Sequence, residues 1–132
     1  MCSAGNMRRD VDAVPSYPVS LPEPNVLGVG ATVVADGGRS PAPFSSWGPA
    51  AVPVAAPGER ILTTSRDGRY AYAWGTSLAA PHVAGVAALV ASISPGISAV
   101  ALRAALVDHA VPGSAAERPR ILDAPASVRS VR

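Results

Sequence analysis

Ser77 is the residue of this chain best placed to do covalent chemistry. It lies in the stretch "GTSLAAPHVAGVAAL", residues 75–89, directly behind Gly75 and Thr76 and ahead of a long apolar run that holds Pro81 and His82. A glycine turn, a hydroxyl and then a helix put that hydroxyl beside N–H groups that lack intrahelical partners, where the helix dipole adds positive potential. A developing oxyanion could be stabilised there. The same features also describe an ordinary helix start, with Thr76 or Ser77 as the capping side chain. Caps are the commoner use of a Ser or Thr at such a point, so the local pattern leaves both readings open. A nucleophile also needs a base. His82, five positions on, lies about 140° around a helix from Ser77 and points away from it. His109 suits a favourable charge at a helix C-terminus, and no carboxylate is spaced to orient either histidine.

The elements that must position Ser77 are legible in outline. "NVLGVGATVVA", residues 25–35, is a continuous apolar run that reads as a strand buried on both faces, as in a parallel sheet covered by helices. Residues 51–58, "AVPVAAPG", form a shorter apolar segment whose prolines place it at a sheet edge or in an extended loop. "RILTTSRDGRYAYAW" holds two alternating runs around Asp67-Gly68, the favoured chemistry of a tight hairpin turn, and its second arm delivers the chain to Gly75. From Ser77 to about Ser92 an all-round apolar composition predicts a helix buried in a core, with Pro81 tolerated in its first turns. "SPG" at 94–96 ends it. Ser98 caps a second helix over 99–110 with Leu102 and Leu106 on one face. Residues 120–132 read as a short strand and a terminal helix.

Length and composition bound what these elements can build. The 132 residues suffice for one compact domain, and 48% apolar with 15% charged residues indicates a globular interior. All 11 basic residues are arginines, scattered without aromatic interleaving, and the net charge is only +2, which argues against a nucleic-acid surface. A single cysteine, Cys2, excludes an internal disulfide framework and a multi-cysteine zinc site. Residues 1–10 show no apolar leader behind a basic start, and the run from Val83 to Ile93 is too short for a membrane span, so the chain as written is expected to be soluble and untargeted.

The wider pattern bears on Ser77. "GTSLAAPHVAG" at 75–85 resembles the sequence around the nucleophilic serine of subtilisin-like serine endopeptidases, the subtilases. "SAGN" at 3–6 is similar to the family segment that ends in its oxyanion-hole asparagine. "PSYPVSLPEPNVLGVGAT" at 15–32 and "FSSWGPAAVPVAAPGERILTT" at 44–64 resemble the loops and strands that follow, and residues 98–110 with "RILDA" at 120–124 resemble the closing elements. Five collinear matches cover almost the entire chain.

The resemblance implies a fold and a set of roles. The fold is α/β: the C-terminal part of a subtilisin-like three-layer architecture, a parallel sheet flanked by helices, left incomplete, with residues 1–132 as one partial peptidase domain. Ser77 would be the nucleophile, and Asn6 with the backbone N–H of Ser77 the oxyanion hole. Ala4 and Gly5 would lie along the specificity pocket and Ser16 near its floor. The "PHVAG" histidine, His82, is structural in the family. Trp74, where the family usually has a small or polar residue, and Leu78, in place of a more frequent methionine, depart from the pattern.

The family's catalytic aspartate and histidine precede the asparagine, so neither falls within these residues. Residues 1–6 would be a buried strand cut in its middle, expected from a truncated or mis-started reading frame or a split gene. Polypeptides are the implied substrates, a missing N-terminal half the implied partner, and secretion the implied location. No nucleic acid, membrane, cofactor or metal is expected: structural calcium occurs in the family, but no acidic cluster here has ligand spacing. The chain alone is expected to be inactive. The rival readings are a non-catalytic remnant or peptide-binding module that keeps the cleft without the chemistry, and an unrelated small α/β binding domain.

Overall fold

In the computed structural model, residues 1–35, 38–113 and 119–132 are described. Seven strands and three α-helices occur in the order β1 (Cys2–Ser3), β2 (Gly28–Ala35), β3 (Gly38–Pro41), β4 (Val54–Pro57), β5 (Ile61–Thr64), β6 (Tyr70–Ala73), α1 (Thr76–Ile93), α2 (Ala99–Val107), β7 (Arg120–Ile121) and α3 (Ala124–Arg129). β1, β2, β4 and β7 form a parallel sheet in that order, and β3 folds back antiparallel onto β2. β1 and β3 take the same edge of β2 in succession, because β4 occupies the other edge over Val29 to Thr32.

The continuous apolar run expected over 25–35 is the central strand β2. Alternation along it divides the molecule into two cores. Leu27, Val29 and Ala31 pack with Ala79, Val83 and Val90 of α1 and with Leu106 of α2. Ala4, Val11, Val19 and Val52 form a second, smaller cluster from the loops. Gly28 is required on that side: a Cβ there would stand 2.0 Å from the Ala51 carbonyl oxygen and 2.7 Å from Val19. One face of the sheet is thus covered by helices and the other by loop segments.

Three expectations are corrected. Residues 54–57 are an interior strand, not an edge, with Val54, Ala55 and Ala56 fully buried between β2 and β7. Pro53 precedes the strand, and Pro57 lies beyond the last residue of β7 in register, so neither missing N–H breaks the ladder. Second, α1 is buried on one face only: Thr76, Ala79, Val83, Val86, Ala87 and Val90 are inside, whereas Pro81, His82, Ala84, Gly85, Ala88 and Leu89 are exposed. Third, α1 has 18 residues with a mean hydropathy of 1.6, which does reach the length and apolarity of a membrane span. Its inner face packs on β2 and β4, the disposition of a core helix.

The hairpin is as the Asp67-Gly68 pair predicts. Both residues adopt positive φ, at 60° and 68°, and Arg69 N–H donates to the Arg66 carbonyl across the turn. Ser98 Oγ accepts from Ala101 N–H to cap α2, which ends at Val107, so His109 lies past the helix rather than in its last turn. Asp123 caps α3 in the same way through Ala126 N–H.

Candidate active site

The hairpin ends at Ala73, and two residues later the chain turns into α1. Gly75 is the N-cap, at φ 139° and ψ 159°, a region that side chains other than glycine's scarcely reach. Gly75 has no side chain with which to cap the helix. Ser77 is therefore not a cap; it stands in the first turn with its side chain exposed. The Thr76 hydroxyl is also used elsewhere. Thr76 is 1% exposed, donates through Oγ1 to Asn6 Oδ1 at 3.0 Å and accepts from Gly5 N–H at 3.0 Å.

Asn6 closes the clasp from the other end of the sheet. Its Oδ1 accepts from Thr76 N–H at 2.9 Å as well as from the Thr76 hydroxyl. Because a backbone N–H can only donate, this bond fixes which amide atom is oxygen, and the NH2 group must point the other way. The first helical N–H groups are then accounted for one by one. Thr76 N–H goes to Asn6 Oδ1 and Leu78 N–H to the Gly75 carbonyl, while Ser77 N–H and Asn6 Nδ2 have no partner among the described residues. A Cβ built on Gly75 would stand 3.0 Å from Asn6 Nδ2 and 3.2 Å from Ser77 Oγ. One open donor, Asn6 Nδ2, and the exposed Ser77 hydroxyl thus flank one point, and the second open donor is the N–H of Ser77 itself. Such a set can offer an oxygen nucleophile and hold the negative charge that forms on the carbonyl oxygen it attacks.

Known proteins carry the same arrangement of elements. Residues 1–125 match the model of the Subtilase family. This chain belongs to the subtilase family. An extracellular basic protease of Dichelobacter nodosus is 46% identical over 102 residues, covering 72% of this chain and 16% of that protein. Subtilisin-like protease 2 of Plasmodium falciparum is 40% identical over 93 residues, 70% of this chain and 7% of that protein. Among solved structures, a protease from Pseudoalteromonas arctica superimposes with a TM-score of 0.84 at 29% identity over 98% of this chain and 42% of its own. A cold-adapted subtilisin-like serine proteinase gives 0.79 at 33% identity, over 92% and 43%. The chain therefore spans less than half of the subtilases it matches.

Within this subtilase domain the other expected site residues are placed as follows. Gly5 joins the clasp through its N–H. Ala4 is 2% exposed in the loop-side core, so only its backbone is available to a cleft. Ser16 is half-buried in a turn: its N–H bonds Ser20 Oγ and its carbonyl accepts from Ser20 N–H, just before the cis Tyr17–Pro18 bond. His82 donates Nδ1–H to the Leu78 carbonyl one turn back, at 2.8 Å, which turns its ring away from Ser77. Leu78 is half-buried. Trp74 packs on Phe44 with ring centroids 4.9 Å apart. Among the described residues no group of three or more His, Cys, Asp and Glu could hold a metal ion.

In the sequence Gly75 reads only as a turn and Thr76 only as a cap, and Phe44 carries no signal. The signal for the first two was in the same tripeptide as Ser77. Thr76→Val is expected to lower stability by about 1–3 kcal/mol, since it keeps the shape but leaves the half-buried Gly5 N–H without an acceptor. Urea unfolding measures this, and Thr76→Ser should recover most of the loss.

Proposed function

We propose that this chain is the C-terminal half of a serine endopeptidase catalytic domain, in which Ser77 attacks the scissile carbonyl of a polypeptide to form an acyl-enzyme. One observation carries the reading: Asn6 Nδ2 and Ser77 N–H are both uncommitted beside the exposed Ser77 hydroxyl, while Gly5 N–H, Thr76 N–H, the Thr76 hydroxyl and Leu78 N–H are spent. As the hydroxyl oxygen bonds to the carbonyl carbon, negative charge moves to the carbonyl oxygen, where the two donors would receive it. Ala4, Gly5 and Ser16 border the acyl side of the cleft in this reading. A relative described as an extracellular basic protease supports export as the setting of the activity.

The attack also requires a proton acceptor, and His82, five positions on in α1 and so about 140° around the helix from Ser77, does not face it. We assign that task to a histidine, oriented by an aspartate, on a polypeptide corresponding to the N-terminal half of a subtilase. Two surfaces suit it. The outer edge of β1 has no strand partner among the described residues, and the exposed face of α1 presents His82, Gly85 and Leu89. Gly85 has no atom within 4 Å of where a Cβ would be, and beside it lies a cleft of about 410 Å³ lined by Pro57, His82, Val86 and Pro125.

The second reading, a peptide-binding module without chemistry, is favoured by that same offset of His82 from Ser77. A fluorophosphonate probe separates the two. The chain by itself should remain unlabelled, and Ser77 should label stoichiometrically once the complementary half is present. Absence of Ser77 labelling in the assembled protein would leave only the binding module.

A further inference from the structure

The hairpin that delivers the chain to Ser77 shows solvent an aromatic face. Tyr70, Tyr72 and Trp74 stand at alternate positions along β6 and its exit and are 72%, 68% and 59% exposed, with Leu62 directly opposite Tyr72. The reverse face, with Ile61, Thr63 and Ala73, is half-buried. A period of two puts the three rings on one side, and a contiguous exposed apolar patch of this kind marks an interaction surface. Two of the rings are also braced: Trp74 leans on Phe44, and the Arg60 guanidinium sits 5.9 Å over the Tyr72 ring. Braced aromatics offer contact area with little left to lose in conformational freedom.

The stripe is continuous with the Ser77 site. The Cβ position of Gly75 is 3.2 Å from Ser77 Oγ, so the Trp74 Cα lies within about 9 Å of that oxygen, roughly three residues of extended chain. We propose that the Tyr70–Tyr72–Trp74 stripe is a secondary substrate-binding surface. It takes aromatic or large aliphatic side chains at alternate positions of the polypeptide, beginning about three residues from the scissile bond. This rests on the endopeptidase reading of Ser77 and extends it to parts of the substrate that Ala4, Gly5 and Ser16 do not reach. An extended peptide is the fitting occupant, because its own side chains repeat with the spacing of the stripe.

The test is a nuclear magnetic resonance titration of the full 132-residue chain. The probe is Ac-Ser-Phe-Ser-Leu-Ser-Phe-Ser-amide, and the control carries the same three apolar residues consecutively. Saturable shifts are expected at the amides of residues 70–75 and of Leu62, at least tenfold tighter for the alternating peptide. Tyr72→Ser and Trp74→Ser should each weaken binding about tenfold or more, with circular dichroism unchanged because both side chains face solvent. Shifts elsewhere, equal affinity for the two peptides, or indifference to both substitutions would overturn the proposal. A second measurement does not depend on this chain folding alone. Residues 60–74 are grafted into a complete subtilase, and kcat/KM is compared for substrates with phenylalanine or serine at the flanking positions. The graft should raise the phenylalanine preference about tenfold, and an unchanged ratio would also overturn the proposal. Peptide binding needs no base, so a failed Ser77 labelling experiment sinks the endopeptidase reading and is told apart from failure of the stripe.

Discussion

Combining the 132-residue chain with a separately produced N-terminal half of a subtilase is expected to raise peptide hydrolysis by about 10⁴-fold or more over either half. The ceiling is set by the base: in a member of this same family its loss costs about 10⁶ in turnover, and the oxyanion hole with binding alone retains only a small residue of catalysis. This chain holds the hydroxyl and both uncommitted donors; the partner would bring the histidine and aspartate. Ser77→Ala should abolish the gain, and Gly85→Leu should block it while leaving the chain's own fold intact, because Gly85 faces open space until the partner arrives. Hydrolysis of a chromogenic peptide, together with co-elution of the halves on size exclusion, reads the result. Halves that co-elute without activity would refute the endopeptidase assignment.

The second large effect is expected at Gly75. Gly75→Ala adds one methyl group, which would lie 3.0 Å from Asn6 Nδ2 and 3.2 Å from Ser77 Oγ, in the space the endopeptidase reading assigns to the substrate oxyanion. The backbone at φ 139° adds strain of about 1–3 kcal/mol. Turnover of the assembled enzyme should fall at least as far as on loss of one oxyanion donor, about 10²–10³-fold, together with a lower Tm of the chain. The contrasting substitution is Gly68→Ala, where the surroundings are open and positive φ alone opposes the change. It should touch stability and spare turnover. Activity surviving in Gly75→Ala would mean that the oxyanion does not sit between Asn6 and Ser77.

Much of this architecture was legible because the local signals agreed with one another. The apolar run at 25–35, the Asp67-Gly68 turn and the Ser98 cap each name their own structure, and each is found. The errors arose where a residue's meaning depends on register or on what lies across a surface. Prolines 53 and 57 suggested an edge strand, yet whether a missing N–H matters is decided by where β7 stops, which no local pattern encodes. The apolar sequence of α1 suggested burial all round, but burial needs covering atoms, and its outer face has none among the described residues. At the site, residues 75–77 were conspicuous, whereas the clasp between Thr76 and Asn6 joins positions 70 apart and could be seen only in three dimensions.

That separation has a consequence for the order in which the site is built. The bonds from Thr76 to Gly5 and Asn6 span 71 and 70 residues, and they can close only after β1 has docked beside β2 and the hairpin has placed α1. Contacts of such high sequence separation form late and slowly, since the chain entropy they cost is spent before they return anything. Until then Asn6 is free to rotate, and its amide holds no fixed aim toward Ser77. Completion of the fold and alignment of Asn6 with the start of α1 are therefore a single event.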